Sequence, residues 1–530
     1  MDSTVTDSTS EGDFSPAFAG TLKLRNGPGW NAKVQRAWAE RPVEDRVRVL
    51  RRWRRGMSGR SDAFCVAIAG GWQRGEGRTP ADVRVSEILP LLAACEYLER
   101  QAAKILKPQC LGWRGRPVWL WGVESEIRRV ALGRVLVIGP ANYPLFLPGV
   151  QVLQALTAGN SVTWKPGRGG RGVAKLFAEE LDRAGLPREL LHLTEETDEA
   201  GREAVAQGAD KVFFTGSAGA GRAVMRELAE TATPSVMELS GCSAVVVLPR
   251  ADLERVTLAI GFGMRLNGSA TCMAPRRALV MGRTPARREA LRRRLEKAMG
   301  AMEPVRLSDA VYAQLWELID AAEAEGARVF GVRGAAVDGG GWMQAAVLLT
   351  EVKPAMRVAQ ADIFAPVLSM IDVATIGEMA AAQRACPYAL SVSIFGEEQV
   401  ARRLADRLIA GTVLVNDVIV PTADPRIPFG GRRGSGFGVT RGAEGLLEMT
   451  AVKTVLVRRG VSRRQYEETG EAHTRMFDGL ILAGHAPTWG LRWQGLRQMV
   501  AAAMGMRKPA SVDESKAQVQ QEMQEQYDGE

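Results

Sequence analysis

Short, continuous apolar runs punctuate the chain, and each is joined to a longer stretch whose apolar residues recur three and four positions apart. The first predict strands buried on both faces, the second helices packed against them. A strand over 134–138 leads to a helix near 147–156, with Pro148 early in it and Gly159 at its stop. A strand at 161–164 leads to a helix at 172–184, stopped by Gly185 and Pro187. A strand at 211–214 opens through Gly216 and Ser217 into a helix at 218–229. After Glu238 a second set begins, with strands at 244–248, 277–280, 367–371, 390–395 and 412–416. Its helices fall at 253–266, 285–299 (Thr284 as N-cap), 307–324, 375–385 and 398–410. The pattern predicts an α/β fold of two doubly wound lobes, with ligand bound at the carboxyl ends of the strands.

Other stretches read differently. Val43, Val47, Leu50 and Trp53 mark an amphipathic helix over 42–57, and Leu91, Cys95, Leu98, Ala102 and Ile105 another over 88–106, where Cys95 is a packing residue. The alternation at Val118-Trp119-Leu120-Trp121 predicts an exposed hairpin within 114–130, and 450–458 a late strand. Trp489, Trp493, Leu496, Val500 and Met504 form one stripe on a basic helix. Such a helix suits docking on its own chain or a partner subunit, with peripheral membrane contact the weaker reading. Residues 1–20 are acidic and rich in Ser and Thr, a disordered composition, and 513–530 read as a frayed helix or disorder.

Composition narrows the classes. A chain of 530 residues, 46% hydrophobic and 24% charged, is long enough for several lobes and a large core. The net charge of +9 is interleaved along the chain rather than focused, so nucleic-acid binding is not expected. Six cysteines without paired spacing point to reduced thiols in a cytoplasmic setting, three scattered histidines offer no metal site, and neither a signal peptide nor an apolar run of membrane-spanning length is evident.

Candidate chemistry centres on Glu238-Leu239-Ser240-Gly241 and, 34 positions on, Cys272 within Asn267-Gly268-Ser269-Ala270-Thr271-Cys272-Met273-Ala274-Pro275. Small, flexible neighbours let backbone pass close to a ligand, as an exposed thiol requires. A thiolate, not a thiol, is the nucleophile, so the site needs a base, a helix N-terminus or a cation. Around it lie Gly139-Pro140-Ala141-Asn142-Tyr143-Pro144, Trp164-Lys165-Pro166, Thr215-Gly216-Ser217-Ala218-Gly219-Ala220-Gly221, Ile363-Phe364-Ala365-Pro366 and Pro428-Phe429-Gly430-Gly431. In this order and spacing, from about 25 to about 458, the chain resembles the NAD(P)-dependent aldehyde dehydrogenase superfamily, and the T-C-x-A-P run looks most like its class 3 branch.

That resemblance implies oxidation of an aldehyde to a carboxylic acid with NAD or NADP. It gives Cys272 as nucleophile, Glu238 as the base that activates water, and the Asn142 amide as oxyanion donor beside the Cys272 backbone N–H. Lys165, Gly216, Ser217, Gly221, Asp362 and Phe364 fall on cofactor positions. Residues 21–111 and 132–240 would form the Rossmann-like cofactor lobe and 241–446 the catalytic lobe. Residues 112–131 and 447–458 would be bridging strands of a homodimer, and 459–530 an extension outside the family. The departures are specific. Arg168 replaces an acidic residue and could pair with a 2′-phosphate, which favours acceptance of NADP. Asp362 is one methylene shorter than the usual glutamate; Ala141, Ser240, Cys242, Ala270 and Ala365 also depart. The rival readings are acyl transfer to coenzyme A, which retained Glu238 disfavours, and a dinucleotide-binding scaffold without turnover.

Overall fold

The computed structural model describes residues 30–71, 78–282, 284–459, 466 and 468–505. The expected disorder at 1–20 and the polar tail at 513–530 lie outside them. The chain divides into two units, one holding the residues up to Leu111 with Ser125–Val455, the other Gly112–Glu124 with the residues from Leu456 on.

Within the first unit two sheets form, as the apolar runs predict. One has six strands in the order Gly436–Phe437, Ser235–Glu238, Lys211–Thr215, Arg134–Ile138, Ser161–Lys165, Leu191–Leu193. All its pairings are parallel save that of Gly436–Phe437, which runs antiparallel to Ser235–Glu238. The other has seven, with Ser243–Val247 and Pro275–Met281 at its centre and Arg328–Phe330 as an antiparallel edge. Strand order reverses beside Arg134–Ile138, where a doubly wound sheet opens a ligand crevice. The helix Phe146–Ala158 that follows this strand is buried at every position and ends on Gly159 at φ 98°, the left-handed cap its sequence predicts. It packs among Trp38, Trp53, Trp164 and Phe177 in the largest apolar cluster, so the first lobe's core is centred under the crevice.

Several expectations need correcting. The hairpin at 114–130 is shifted: its strands are Gln109–Leu111 and Val123–Ala131, while Val118–Leu120 makes one 3-10 turn. With Thr450–Arg458 they form a three-stranded sheet. The helix expected over 398–410 is Glu398–Ala405, and Thr284 makes no side-chain cap bond to the helix Pro285–Gly300. Residues 305–307 are a strand, and the helix after them starts at Asp309 on a Ser308 cap.

In the second unit Glu471–His485 and Trp489–Gly505 form a helical hairpin. Its seam is made by small residues: a Cβ on Gly479 would meet the Met499 backbone nitrogen at 2.6 Å, and one on Gly495 the Ala483 backbone nitrogen at 2.4 Å. The apolar stripe lies away from that seam, with Trp489, Trp493 and Met504 exposed. Self-docking is thus made by the glycines and not by the stripe. Among the described residues no helix is long and apolar enough to cross a membrane.

Candidate active site

Glu238 ends the strand Ser235–Glu238, paired with Thr215 on one side and Gly436 on the other. Its carboxyl is buried; Oε1 accepts from the Cys272 thiol at 3.9 Å, and Oε2 has no partner. Burial raises its pKa to about 7, against the opposing pull of the Arg441 charge and the bond from Cys272. A carboxyl poised there is half ionised at neutral pH, which suits a general base.

Cys272 is held by backbone that few residues adopt. Asn267, Gly268 and Ser269 all have positive φ, 56°, 56° and 62°. Each non-glycine residue in that region costs about 1–2 kcal/mol, so neighbours must over-determine the loop. They do. Arg276, buried on the central strand Pro275–Met281, donates to the Ser269 hydroxyl and carbonyl and to the Ala365 carbonyl, tying the thiol's loop to the Phe364 loop. Asn267 donates to the Asn142 carbonyl at 2.7 Å, and the Asn142 amide nitrogen donates to the Ala270 carbonyl at 2.7 Å. An amide nitrogen carries two hydrogens, so one remains for a ligand. Tyr143 and Thr271 share a 2.8 Å hydrogen bond across the same seam. Behind it Glu87, fully buried, accepts from the N–H groups of Leu145 and Phe146 and pairs with Arg78 at 2.7 Å. Burial and the charges of Glu238 and Asp362 push the Cys272 thiol well above its ordinary pKa; Arg441 and the residue's own N–H pull it down.

Two cavities open on this pair. The larger, about 910 Å³, is lined by Asn142, Arg168, Gly216, Ser217, Asp362 and Phe364 among others. The second, about 150 Å³, is almost wholly apolar and runs past Tyr143, Phe146, Phe262, Met273, Ile419 and Phe429. Leu147, Glu238 and Cys272 line both.

The larger cavity suits a dinucleotide. Ser217, which lines the cleft, caps the helix Ala218–Ala229; its Oγ accepts from the Ala220 N–H and the Ser240 hydroxyl from the Ala218 N–H, so this end offers an anion the positive end of the helix dipole. Gly216 has no room for a Cβ, which would fall 2.7 Å from the Phe214 ring. Arg168, mostly exposed, stands at the cleft 3.9 Å from Asp198. Two expected cofactor residues do not line it. Lys165 is buried at the strand end near Asp198 and Glu196, and burial lowers its pKa. Gly221 instead lets its helix close on Leu239, whose Cδ2 would lie 2.3 Å from a Cβ. Asp362 lines the cleft; burial raises its pKa, against the pull of the Ser240 side chain, the Arg276 charge and the Gly241 N–H. No cluster of metal ligands occurs among the described residues.

Residues 31–455 match the aldehyde dehydrogenase family. The chain belongs to that family. It is 30% identical to 4,4'-diapolycopene aldehyde oxidase of Methylomonas sp, over 78% of this chain and 77% of that one. It is 29% identical to a putative succinate-semialdehyde dehydrogenase [NADP(+)] 2 of Mycobacterium bovis, over 80% and 82%. A Mycobacterium tuberculosis aldehyde dehydrogenase crystallised with NAD+ superposes with a TM-score of 0.72 at 25% identity, covering 81% of this chain and 90% of the other. The cofactor is NAD or NADP, in keeping with the cleft.

Arg441, Arg276, Tyr143 and Glu87 were not foreseen as site residues. Tyr143 lies inside a quoted motif, beside Asn142, but carried no role there; nothing local marks the other three, and only the fold brings them to the thiol.

Proposed function

We propose that this aldehyde dehydrogenase oxidises apolar aldehydes to carboxylic acids with NAD or NADP, through a covalent intermediate on Cys272. One observation carries the reading: the thiol and the Glu238 carboxyl stand where a dinucleotide-sized cleft meets an apolar cavity. Glu238 accepts the thiol proton, as its hydrogen bond already prefigures. The Cys272 sulfur then adds to the aldehyde carbon, and the carbonyl electron pair moves to oxygen. The second Asn142 amide hydrogen and the Cys272 N–H hold that oxyanion, and losing such a donor costs roughly 10²–10³-fold in rate. Bound NAD or NADP supplies the acceptor for the hydride whose departure leaves a thioester. Glu238, its proton released, takes one from water; hydroxyl adds, the carbon–sulfur bond breaks and the acid leaves.

The lining of the second cavity supports the substrate class, since apolar walls offer no partner to a second charged group. The relative named for diapolycopene aldehyde acts on such a molecule by its name. Arg168 at the cleft supports acceptance of a 2′-phosphate. Placement in the class 3 branch rests on the Thr271-Cys272-Met273-Ala274-Pro275 run alone. Residues 21–111 and 132–240 are read as the cofactor lobe, 241–446 as the catalytic lobe. The three-stranded sheet, with exposed Val452 and Leu456, suits a homodimer, and six free cysteines suit the cytoplasm.

The test is reduced-cofactor absorbance across alkanals of increasing length, a polyene aldehyde and succinate semialdehyde, with both cofactors and with or without coenzyme A. Long apolar aldehydes should be turned over best, without coenzyme A, and Cys272→Ala should abolish the signal while dinucleotide still binds. Turnover by Cys272→Ala would sink the site. Dinucleotide binding without turnover of any aldehyde would favour the scaffold reading.

A further inference from the structure

Arg441 is 5% exposed, yet it forms no ion pair among the described residues. Its guanidinium lies between two rings, 4.3 Å from the Phe429 centroid and 5.5 Å from that of Phe146. Nη1 donates to the Thr422 carbonyl at 2.6 Å, and Nε is buried with no partner. The backbone is fixed too, at φ 63° just before the helix Gly442–Glu448. A guanidinium desolvated this far and left without a carboxylate is costly. Two weak cation–π contacts and one carbonyl do not offset that cost. It lines the apolar cavity with three other ionisable groups, Glu238, Cys272 and Tyr143, of which Glu238 and Cys272 interact with its charge. Cys272 in turn faces Glu238, Asp362, Tyr143 and Arg441, and of these Arg441 alone is a cation.

We propose that Arg441 is a positioning residue for the nucleophile, supplying within the cavity the positive charge that lets Cys272 exist as a thiolate while Glu238 is a carboxylate. Two acids side by side in an apolar pocket repel one another's ionised forms, and Asp362 adds a third. Transfer of the thiol proton to Glu238 leaves one negative charge on the pair; loss of that proton to solvent, which frees Glu238 for water, leaves two. A fixed cation lining the same cavity stabilises both states, and its ring contacts and the Thr422 carbonyl hold it without an ion pair that must break when substrate enters. The unpartnered Nε is the signature: the ion is arranged for charge that appears during turnover.

The inference rests on the reading of Cys272 as nucleophile, and the experiment separates the two. In a Cys110→Ser background, which removes the exposed thiol, the rate of iodoacetamide alkylation at Cys272 is followed by peptide mass as a function of pH. It is measured for the parent, Arg441→Met, Arg441→Gln and Arg441→Lys, each with and without Glu238→Gln so that the neighbouring acid's titration is accounted for. The neutral variants should move the midpoint up by about one unit or more, a tenfold slower reaction on the rising limb. Arg441→Lys should stay within about threefold of the parent. Melting temperature and dinucleotide binding identify variants that fold, and either neutral variant suffices. Superimposable profiles, or a Lys variant as slow as the neutral ones, would overturn the proposal. If alkylated Cys272 still supported turnover, the reading of the nucleophile would fall, whatever Arg441 did.

Discussion

Replacing Glu238 by glutamine separates its chemical role from its effect on stability. The folded protein raises this carboxyl to about 7 from an ordinary 4.5, because burial penalises the charged form. A raised acid binds its proton more tightly folded than unfolded. Its contribution is therefore fully present below pH 4.5 and is lost progressively as pH rises to 7. Relative to a glutamine that does not titrate, the carboxyl should cost the fold about 0.8 kcal/mol at pH 5 and about 3.3 kcal/mol at pH 8. Glu238→Gln should thus gain about 2.5 kcal/mol over the parent between those pH values. Unfolding entropy near 2.1 cal/mol/K per residue makes that about 2 °C in melting temperature for a chain unfolding as one unit. Fluorimetric melts of both proteins at the two pH values would show it. The same variant loses the acceptor of the thiol proton as well as the base for water, so the burst of reduced cofactor should be slowed and steady turnover lowered by about 10²-fold or more. A stability difference unchanged between pH 5 and pH 8 would refute the burial argument, and unimpaired steady turnover would remove Glu238 as the base.

Three further substitutions probe the cleft, the cavity and the scaffold. Arg168→Ala should raise the KM for NADP by about tenfold and leave that for NAD nearly unchanged, the expected loss of one charge-assisted contact to a 2′-phosphate; equal effects on both cofactors would dismiss the contact. Phe262→Asp puts a carboxyl in the apolar wall lined by Ile419 and Met273. It should cut kcat/KM for a long alkanal about tenfold or more, and much less for a short one, measured by initial rates. Glu87→Ala strands buried Arg78 and the Leu145 and Phe146 N–H groups. It should cost about 3–5 kcal/mol, seen as a melting temperature lower by about 3–4 °C, with weakened turnover because the Asn142 loop is attached to that pair.

The buried lobes were readable because their strands are continuous apolar runs and their helices carry caps: Gly159 and Ser217 do what their types predict. Within 305–350 the helix Asp309–Ala324 was readable and the short strands around it were not. The strands Val305–Leu307, Ala335–Ala336 and Trp342–Gln344 are too short for an alternation to show, and Gly339, Gly340 and Gly341 between them carry no pattern. The Trp119 and Trp121 alternation misled because exposed aromatic residues imitate a strand face where the chain makes a 3-10 turn. Within the site, the motif residues lie at strand ends and sharp turns, where sequence and geometry are tightly linked. Lys165 and Gly221 kept their place in the sequence pattern, but their environments are set by Asp198 and Leu239, which no motif includes. Arg441 has no periodicity to betray it, since its role depends on a cavity assembled from distant segments.

Two departures from the family pattern, Ser240 and Asp362, are neighbours in the fold, and their proximity predicts that they act together. Taken singly, Ser240 adds a side chain where glycine would give room, and Asp362 withdraws its carboxyl by one methylene from the cleft. In the fold they are neighbours: Ser240 and the Gly241 N–H hold the pKa of the Asp362 carboxyl down, against the burial that raises it. The Ser240 hydroxyl also accepts from the Ala218 N–H at the start of the helix that Ser217 caps, and its carbonyl accepts from Ser435. One small polar residue therefore links the anion-binding helix, the strand that ends in Glu238 and the loop that carries Phe364. A buried acid held in this way is rigid but less free to grip a ribose. Restoring only one member of the pair should then be worse than restoring both. Asp362→Glu alone would press a longer carboxyl against Ser240, and Ser240→Gly alone would strip a polar neighbour from a buried acid. The double variant should recover what each single one loses, a coupling of about 0.5–3 kcal/mol in a cycle of dinucleotide affinities. Strictly additive effects would show that the two departures arose side by side without acting on one another.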